Sequence, residues 1–514
     1  MADSSLLMAW GGVVKYCFGR TSRFCSRNGC IHIVEAVSAT CCAKAARTSQ
    51  SMTISNVPTM GNSYGEALPQ SRNDSSASGN GMGRSGLKED TMAWTQLGRS
   101  IRQTMPWSRG PIVCAILLTL ANASGFVATS GDVITPGSEP VPSSYFSMNI
   151  LFHPLNKVPW PNVPLGGWRT AHTNWAEIQL EKNRWYFDLL DKYVQWSQIH
   201  NTPILLQLTY TPRWASSTPD APTDVEAGNP PGLSGPPRDM EDWRIFVRTM
   251  ASRYKGRIHD WEIWNEPNRP QSWGGSVETM VEMTRVASRI LREVDPHNRI
   301  VSPAPEETKG LAFLDKFLSE GGGQYVDVIG YHFYVSPQGS PEDMVILINK
   351  VKATMQKYGL SNKPLWDTEA GWLGPNSLPP DLGAAYLARA YILNWAAGVS
   401  RFYWFAWENH HGTQIELTEH DNATLTQAGN AFATIQTWMT GAVMTRCASS
   451  ADGTWICDLR NQSGPFHIVW STKGNTTLPI PGYWHASSAE QLAGGKAEIQ
   501  SQSIAVGVQP VLIQ

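Results

Sequence analysis

Two glutamates stand where an acidic side chain can react. The first lies in Asp260-Trp-Glu-Ile-Trp-Asn-Glu-Pro-Asn268, where an apolar run stops at Asn265-Glu266-Pro267. Proline has no N–H to continue a strand ladder, so Pro267 closes the run and leaves Glu266 at its rim. The second is Glu369, at the end of the apolar run in Leu365-Trp-Asp-Thr-Glu-Ala-Gly-Trp372. A pair of carboxyls has a defined chemistry when their surroundings separate them. One stays neutral and donates a proton, while the other stays ionised and attacks or stabilises developing positive charge. A deeper, more apolar setting and the nearby charge of Glu369 are expected to raise the pKa of Glu266, which makes it the donor. Glu262 shares inward parity with Glu266 but sits deeper, and it is expected to pair rather than react. Asp367 shares parity with Glu369, and its role stays open.

Such groups need a frame that brings distant strand ends together. From Tyr145 onward, short β-rich runs alternate with amphipathic helical stretches. The expected strands are Phe146–Phe152, Gly167–Thr170, Ile204–Leu208, Ile258–Trp264, Ile300–Ser302, Val326–Tyr331, Pro364–Thr368 and Arg401–Trp407. Helices are expected at 184–199, 241–254, 277–294, 311–320, 341–358, 383–397 and 427–439. Alternation of this kind implies a parallel sheet, and its extent suits an α/β fold of the (β/α)8 (TIM) barrel type over 145–440. An open doubly wound sheet is the alternative, but its usual Gly-rich phosphate loop after the first strand is absent. Residues 441–514 change texture. Short alternating runs separated by Gly/Asn/Ser turns predict a small C-terminal antiparallel β-domain, sandwich-like, with either a structural or a carbohydrate-binding role.

Composition narrows the function classes. The chain has 514 residues, a formal net charge of -2 and scattered Lys and Arg, which argues against nucleic acid and against an anionic surface. Its 22 Trp offer flat apolar faces, each with one N–H donor. Cys is absent from the long middle of the chain, so a thiol nucleophile or Cys zinc site is not available there. His410 and His411 are adjacent and do not share a helix face, so no metal or other cofactor is expected.

The two glutamate settings resemble the retaining glycoside hydrolases of clan A, whose acid/base follows an Asn at the end of strand four and whose nucleophile ends strand seven. Trp-Glu-Ile-Trp-Asn-Glu-Pro-Asn, Gly-Tyr-His-Phe-Tyr and the following β-domain are most similar to glycoside hydrolase family 39, which includes β-xylosidases, α-L-iduronidases and exopolysaccharide endo-glycosidases. The resemblance covers about residues 145–514 and implies Glu266 as acid/base, Glu369 as nucleophile and a carbohydrate substrate. The physical case agrees. Glycosidic cleavage passes through an oxocarbenium-like state that needs a proton at the leaving oxygen and negative charge at the anomeric carbon. A non-catalytic polysaccharide-binding protein and a transglycosylase are the competing readings.

Further residues are expected around this pair. Asn265 is a candidate donor to the sugar 2-hydroxyl. Tyr334 resembles the clan's tyrosine that orients the nucleophile. His332 is either a site residue or a satisfied core histidine, and Arg169 either holds Glu369 ionised or lies at the surface. Tyr210, Trp214, Trp372, Trp404 and Trp407 are candidate sugar platforms or packing residues. Glu408 and Asn409, after the eighth strand, either contact substrate hydroxyls or are solvated loop positions. The Pro/Gly-rich loop from Ser216 to Arg238 is placed to wall a cleft.

The N-terminal part reads separately. Residues 1–104 show no sustained period and read as disordered or as an over-extended start, with translation beginning at Met92 or Met105. Arg99, Arg102 and Arg109 precede the apolar run Pro111–Leu120 and the small-residue site Ala121-Asn122-Ala123. Residues 105–129 therefore read as a secretory signal or as an uncleaved anchor, and 130–144 as a linker. Either reading places the protein outside the cytoplasm: secreted, periplasmic or membrane-tethered. Cys447 and Cys457 flank a turn-like Ser-Ser-Ala-Asp-Gly and are either a candidate disulfide or two buried thiols.

Overall fold

The computed structural model describes residues 21–26, 29–34, 133–134, 136–151, 159–223, 230–409 and 412–514. The described residues fall into two units, one holding 21–34 and the other running from 133 to 514. In the first, Thr21–Ser26 pairs antiparallel with Gly29–Val34 as a hairpin. Of the stretch 1–104 read as disordered or over-extended, all but 21–26 and 29–34 lies outside the described residues, as do the export signal at 105–129, His410 and His411. Among the described residues, no helix is long and apolar enough to cross a membrane.

In the second unit, eight parallel strands build the barrel. They are β1 (Phe146–Ile150), β2 (Trp168–Thr170), β3 (Ile204–Leu208), β4 (Asp260–Ile263), β5 (Arg299–Val301), β6 (Ile329–Tyr331), β7 (Leu365–Ala370) and β8 (Val399–Trp404). Their order is β5-β4-β3-β2-β1-β8-β7-β6. The ring closes between β5 and β6 through the parallel bridges Val301↔Val328 and Glu306↔His332, and through the Ser302 N–H donating to the Val328 carbonyl at 3.0 Å. Gly330 permits that closure, because a Cβ there would sit 2.8 Å from Val301 Cγ1.

The helices form where sequence and caps agree. α1 (Asp188–Ile199) precedes β3 and α2 (Met240–Arg253) precedes β4, while α3 (Val277–Val294), α4 (Gly310–Ser319), α5 (Pro341–Lys357) and α6 (Pro380–Ala396) fill the later crossovers. α7 (Gln427–Met439) follows β8. The Ser276 side chain caps α3 by accepting from the Thr279 N–H at 3.2 Å. Met280, Met283, Val286, Ala287, Ile290 and Leu291 of α3 are buried against the barrel. Pro341 opens α5 inside a capping box made by Ser340 and Asp343. α6 has no polar face; it is buried on almost every side because α5, α7 and the C-terminal sheet all pack on it.

The mouth of the barrel opposite the strand C-terminal ends is closed by charge. Asp260 accepts from Arg299 Nε at 2.6 Å and from Arg401 Nη1 at 3.0 Å. Both guanidiniums lie over the Trp366 ring, at 5.3 and 4.3 Å. This plug ties β4, β5, β7 and β8 together below the site.

The C-terminal residues form antiparallel sheets, as the alternating texture predicts. β9 (Val443–Ser449), β10 (Thr454–Asn461) and β11 (Gly464–Ser471) form a meander. β12 (Thr476–Pro479) pairs with β15 (Ser503–Val506). β13 (Ala489–Gln491), β14 (Lys496–Ala497) and β16 (Val511–Ile513) extend the larger sheet, whose far edge is Val133–Ile134 beside β9. Part of the stretch read as a linker is thus a strand. Cys447 and Cys457 face each other across β9 and β10 and are joined by a disulfide. Trp455 and Trp470 stack on β10 and β11, with ring centroids 5.5 Å apart.

One polar cluster joins the two parts. Glu342 of α5 accepts from Arg389 of α6, at 3.0 Å through Nε, and from Trp470 Nε1 of β11, also at 3.0 Å. Removing one member of a buried pair strands the other charge, at a cost of about 3–5 kcal/mol. Glu342→Ala is therefore expected to lower unfolding stability by roughly that amount, read by denaturant titration; an unchanged midpoint would show the cluster to be neutral.

Candidate active site

The site begins with an arginine. Arg169 lies in the middle of β2 with its side chain turned into the barrel and only 2% exposed. Nε donates to Glu262 Oε2 at 2.7 Å. Nη1 donates to Asn149 Oδ1 at 3.2 Å and to Glu369 Oε2. Nη2 donates to Asn265 Oδ1 at 2.7 Å and faces His332 Nε2 at 3.3 Å. Burial works against the guanidinium charge, but Glu262 and Glu369 outweigh it and hold Arg169 above its ordinary pKa.

That contact fixes the histidine. A guanidinium N–H can only donate, so His332 Nε2 must accept and Nδ1 must carry the hydrogen. Nδ1 then donates to Glu266 Oε1 at 3.1 Å. A continuous path therefore runs from Glu369 through Arg169 and His332 to Glu266. His332 is fully buried and sits at the site, so the two readings of it merge.

Glu266 itself is held by backbone geometry. Trp264 and Glu266 both adopt left-handed backbone, at φ 72° and 46°, which non-glycine residues rarely do. Trp264 therefore leaves the strand, and β4 stops one residue earlier than the sequence predicts. The Trp264 N–H donates to the Leu208 carbonyl at 3.1 Å, and the Glu266 N–H donates to the Ala304 carbonyl at 2.9 Å. The Trp264 ring packs against Trp273, with centroids 4.7 Å apart, and its Nε1 donates to the Ser272 carbonyl at 2.9 Å. Contacts on each side pay for the strain of the turn.

Glu369 lies within β7 on the opposite wall. Its Oε1 accepts from the Tyr334 hydroxyl at 2.9 Å and its Oε2 from Arg169. One oxygen of Glu266, one of Glu369 and a ring nitrogen of His332 all lie within 4.8 Å of one another. The sequence shows no metal constellation, yet the fold collects three potential ligands here. The Arg169 cation, seated on Glu369 and facing His332, works against a second cation at the same place.

The ionisation of Glu266 departs from expectation. Burial raises it, but the hydrogen bond from His332 and the charge of Arg269 outweigh burial and hold it below the usual carboxylate range. Arg269 Nη1 donates to Glu266 Oε2 at 3.0 Å, and its Nε lies 3.5 Å from Glu306 Oε1. Burial pushes Glu306 up to about 8, with the Glu266 charge adding to the shift. The raised carboxyl beside this site is thus Glu306, which follows β5. Asp367, directly below the nucleophile position on β7, is raised well above the usual carboxylate range by burial. Its Oδ1 accepts from the Phe333 N–H at 3.4 Å.

Other expected positions divide. Glu262 pairs inside the barrel with Arg169, as its depth implies. Asn265 gives its amide oxygen to Arg169, which leaves its NH2 as the group able to donate to a substrate. Trp372, Trp404 and Trp407 are at most 2% exposed, so they are packing residues rather than open platforms. Trp404 stacks between Trp372 and Tyr391, at 6.0 and 6.2 Å. Tyr210 and Trp214 keep partly exposed rings. Trp214 Nε1 donates to the Gln179 carbonyl at 2.8 Å. Glu408 is 1% exposed, and both its oxygens accept from the Leu151 N–H at 3.0 Å; it ties β8 to β1 and is not a solvated loop residue. Asn409 is likewise taken up by Glu416, at 2.8 Å. In the Ser216–Arg238 loop, Ser216 bridges Pro237 and pins the base, with residues 224–229 outside the described set.

Sequence reasoning missed Asn149, Arg269 and Glu306. Asn149 lies inward on β1, and its amide donates to carbonyls of Tyr403 at 3.1 Å and Thr368 at 3.3 Å. Glu306 stands after an expected strand on the catalytic face, the same signal that singled out Glu266 and Glu369.

Known proteins resemble this chain across the barrel. Residues 259–432 match the family model described as the glycosyl hydrolase catalytic core. That stretch runs from the start of β4 to α7 and contains both Glu266 and Glu369. A family 39 glycoside hydrolase from the gut symbiont Bacteroides cellulosilyticus WH2 superposes with a TM-score of 0.58 at 17% identity, over 73% of this chain and 82% of that one. A family 39 β-xylosidase from Caulobacter crescentus gives 0.52 at 13% identity, over 75% and 98%. In sequence, endo-1,4-beta-xylanase A of Thermotoga neapolitana is 25% identical over 172 residues, 31% of this chain and 16% of that enzyme's length. Residues 259–432 are thus similar to a glycosyl hydrolase catalytic core, and the chain shares the (β/α)8 barrel fold of family 39 structures.

Proposed function

We propose that the protein is a retaining glycoside hydrolase that cleaves an O-glycosidic bond of an oligo- or polysaccharide by double displacement. The observation that carries this reading is the approach of Glu266 and Glu369 to within 4.8 Å, from the C-terminal ends of β4 and β7. Retaining enzymes hold their carboxyls about 5–5.5 Å apart, whereas inverting ones need about 6.5–9.5 Å to seat a water. Glu369 attacks the anomeric carbon and becomes a glycosyl ester as Glu266 passes a proton to the leaving oxygen. Water then attacks the same carbon and gives its proton to Glu266, which frees Glu369. Asn265 donates to the sugar 2-hydroxyl, while Tyr334 and Arg169 aim the two oxygens of Glu369. The secretory reading of Pro111–Ala123 and the Cys447–Cys457 disulfide both support action outside the cytoplasm.

The test is trapping. A 2-deoxy-2-fluoro glycoside with an activated leaving group is expected to label Glu369, read by peptide mass spectrometry, and NMR of the first-formed product should show retained configuration. Labelling elsewhere, or inversion, would overturn the assignment. Glu266→Ala is expected to lose about 10²–10⁴-fold in kcat/KM on substrates with poor leaving groups, and far less with a dinitrophenyl leaving group. Saccharide binding without turnover would favour the non-catalytic reading, and product extension with an added acceptor sugar would favour the transglycosylase.

Two further substitutions probe the positioning. A hydrogen bond to a charged group contributes about 1.5–3 kcal/mol, so Tyr334→Phe should lower kcat roughly ten- to hundredfold with little change in stability. Arg169→Met strands Glu262 and Glu369 and is expected to cost about 3–5 kcal/mol of unfolding free energy as well as activity. A variant of wild-type stability would show that the guanidinium does not hold the barrel interior together.

A further inference from the structure

Glu306 is a partly buried acidic group that the double displacement above leaves unused. Its backbone is fixed on both sides: the N–H donates to Asn268 Oδ1 at 2.9 Å, and the carbonyl accepts from the Asn268 amide at 3.4 Å and from the Gly310 N–H at 2.9 Å. The bridge Glu306↔His332 places it where β5 and β6 meet, beside the histidine that donates to Glu266. Its carboxyl shares the Arg269 guanidinium with Glu266, Nε at 3.5 Å from one and Nη1 at 3.0 Å from the other. The two carboxyls thus converge on one guanidinium. One guanidinium offsets the charge of only one of two adjacent carboxylates, which favours a single proton on the pair.

We infer that Glu306 is a positioning residue that holds the proton which Glu266 delivers to the leaving group, so that the two glutamates act as one acid bearing a single proton. The inference rests on the glycosidase reading. In the first step, the bond from the anomeric carbon to the leaving oxygen breaks and an O–H bond forms there with the proton of Glu266. That proton is the only one the pair holds: it passes from Glu306 to Glu266 and on to the leaving oxygen, which leaves both carboxyls ionised. The pair goes from one negative charge to two while Glu369 goes from one to none, so charge balances. In the second step, the proton of the attacking water restores the pair as Glu369 leaves the sugar.

The groups around this pair fit that division. Glu266 meets His332 from β6 and Arg269 from its own loop, with Glu369 of β7 and Arg169 of β2 beyond. Glu306 meets Arg269, its neighbour Glu307, and Tyr331 of β6, whose hydroxyl donates to the Glu307 carbonyl at 2.6 Å. Arg269 sits closer to Glu266 and His332 donates to Glu266, so the proton rests on Glu306, which partial burial raises to about 8.

The test compares wild type with Glu306→Gln and Glu306→Asp on aryl glycosides of graded leaving-group acidity. The alkaline limb of kcat/KM reports the acid in the free enzyme. In Glu306→Gln that limb is expected to move down by at least about one pH unit, with loss at pH 7.5 of tenfold or more on a phenolic leaving group and little loss on a dinitrophenyl one. Glu306→Asp should restore part of the limb. A limb that stays in place for Glu306→Gln overturns the inference. Carbon-13 NMR titration of labelled glutamate carboxyls in the full chain decides independently of turnover. One carboxyl titrating near pH 8 in wild type and missing from Glu306→Gln supports the pair, and its absence in wild type overturns it. A wild type inert on every glycoside but showing that titration would sink the glycosidase reading and leave the shared proton standing.

Discussion

Five N–H groups on one buried guanidinium set the arrangement of this protein. Arg169 has no donor to spare: Glu262, Asn149, Glu369, Asn265 and His332 take all five. Those partners come from β1, β4 and β7 and from the turns after β4 and β6, so one side chain registers most of the ring. A buried cation of this kind is tolerable only when paired and fully hydrogen-bonded. The carboxylate of Glu369 is thus both a structural counter-charge and the group proposed to react. Stability and chemistry draw on the same contact, and a substitution there cannot separate them without a replacement partner.

The second constraint lies in the backbone at the ends of β3 and β4. Tyr210, Trp264 and Glu266 all adopt left-handed φ, as does Glu307 after β5. Each such residue costs on the order of 1–3 kcal/mol and persists only where its neighbours over-determine it. Here those neighbours are strand hydrogen bonds from Leu208 and Ala304 and the indole packing of Trp264 on Trp273. The barrel core below supplies the stability that lets its rim be strained.

Much of this was legible in the sequence, for a physical reason. Alternating strands and helices have different periods, and a proline or a polar residue marks where a strand meets the rim, so the barrel and the placement of Glu266 and Glu369 could be read from order alone. Parity also put Glu262 inside. The tryptophans could not be sorted the same way. Alternation says which side of a strand an indole takes, not whether another ring covers it, and Trp372, Trp404 and Tyr391 cover one another. The ionisation of Glu266 escaped for a related reason. Burial was foreseeable from the strand, but His332 and Arg269 act across space, and Glu306 joins only because β5 lies beside β4.

The edge strand Val133–Ile134 has a mechanical consequence. It pairs with β9, while the chain between them, from 146 to 439, makes the whole barrel. Topologically the barrel is an insertion between two neighbouring strands of the C-terminal sheet. A pull transmitted along the polypeptide from either side would load that sheet first, where a disulfide already clamps β9 to β10. The barrel would stay slack, with its strained rim shielded, until the clasp gave way.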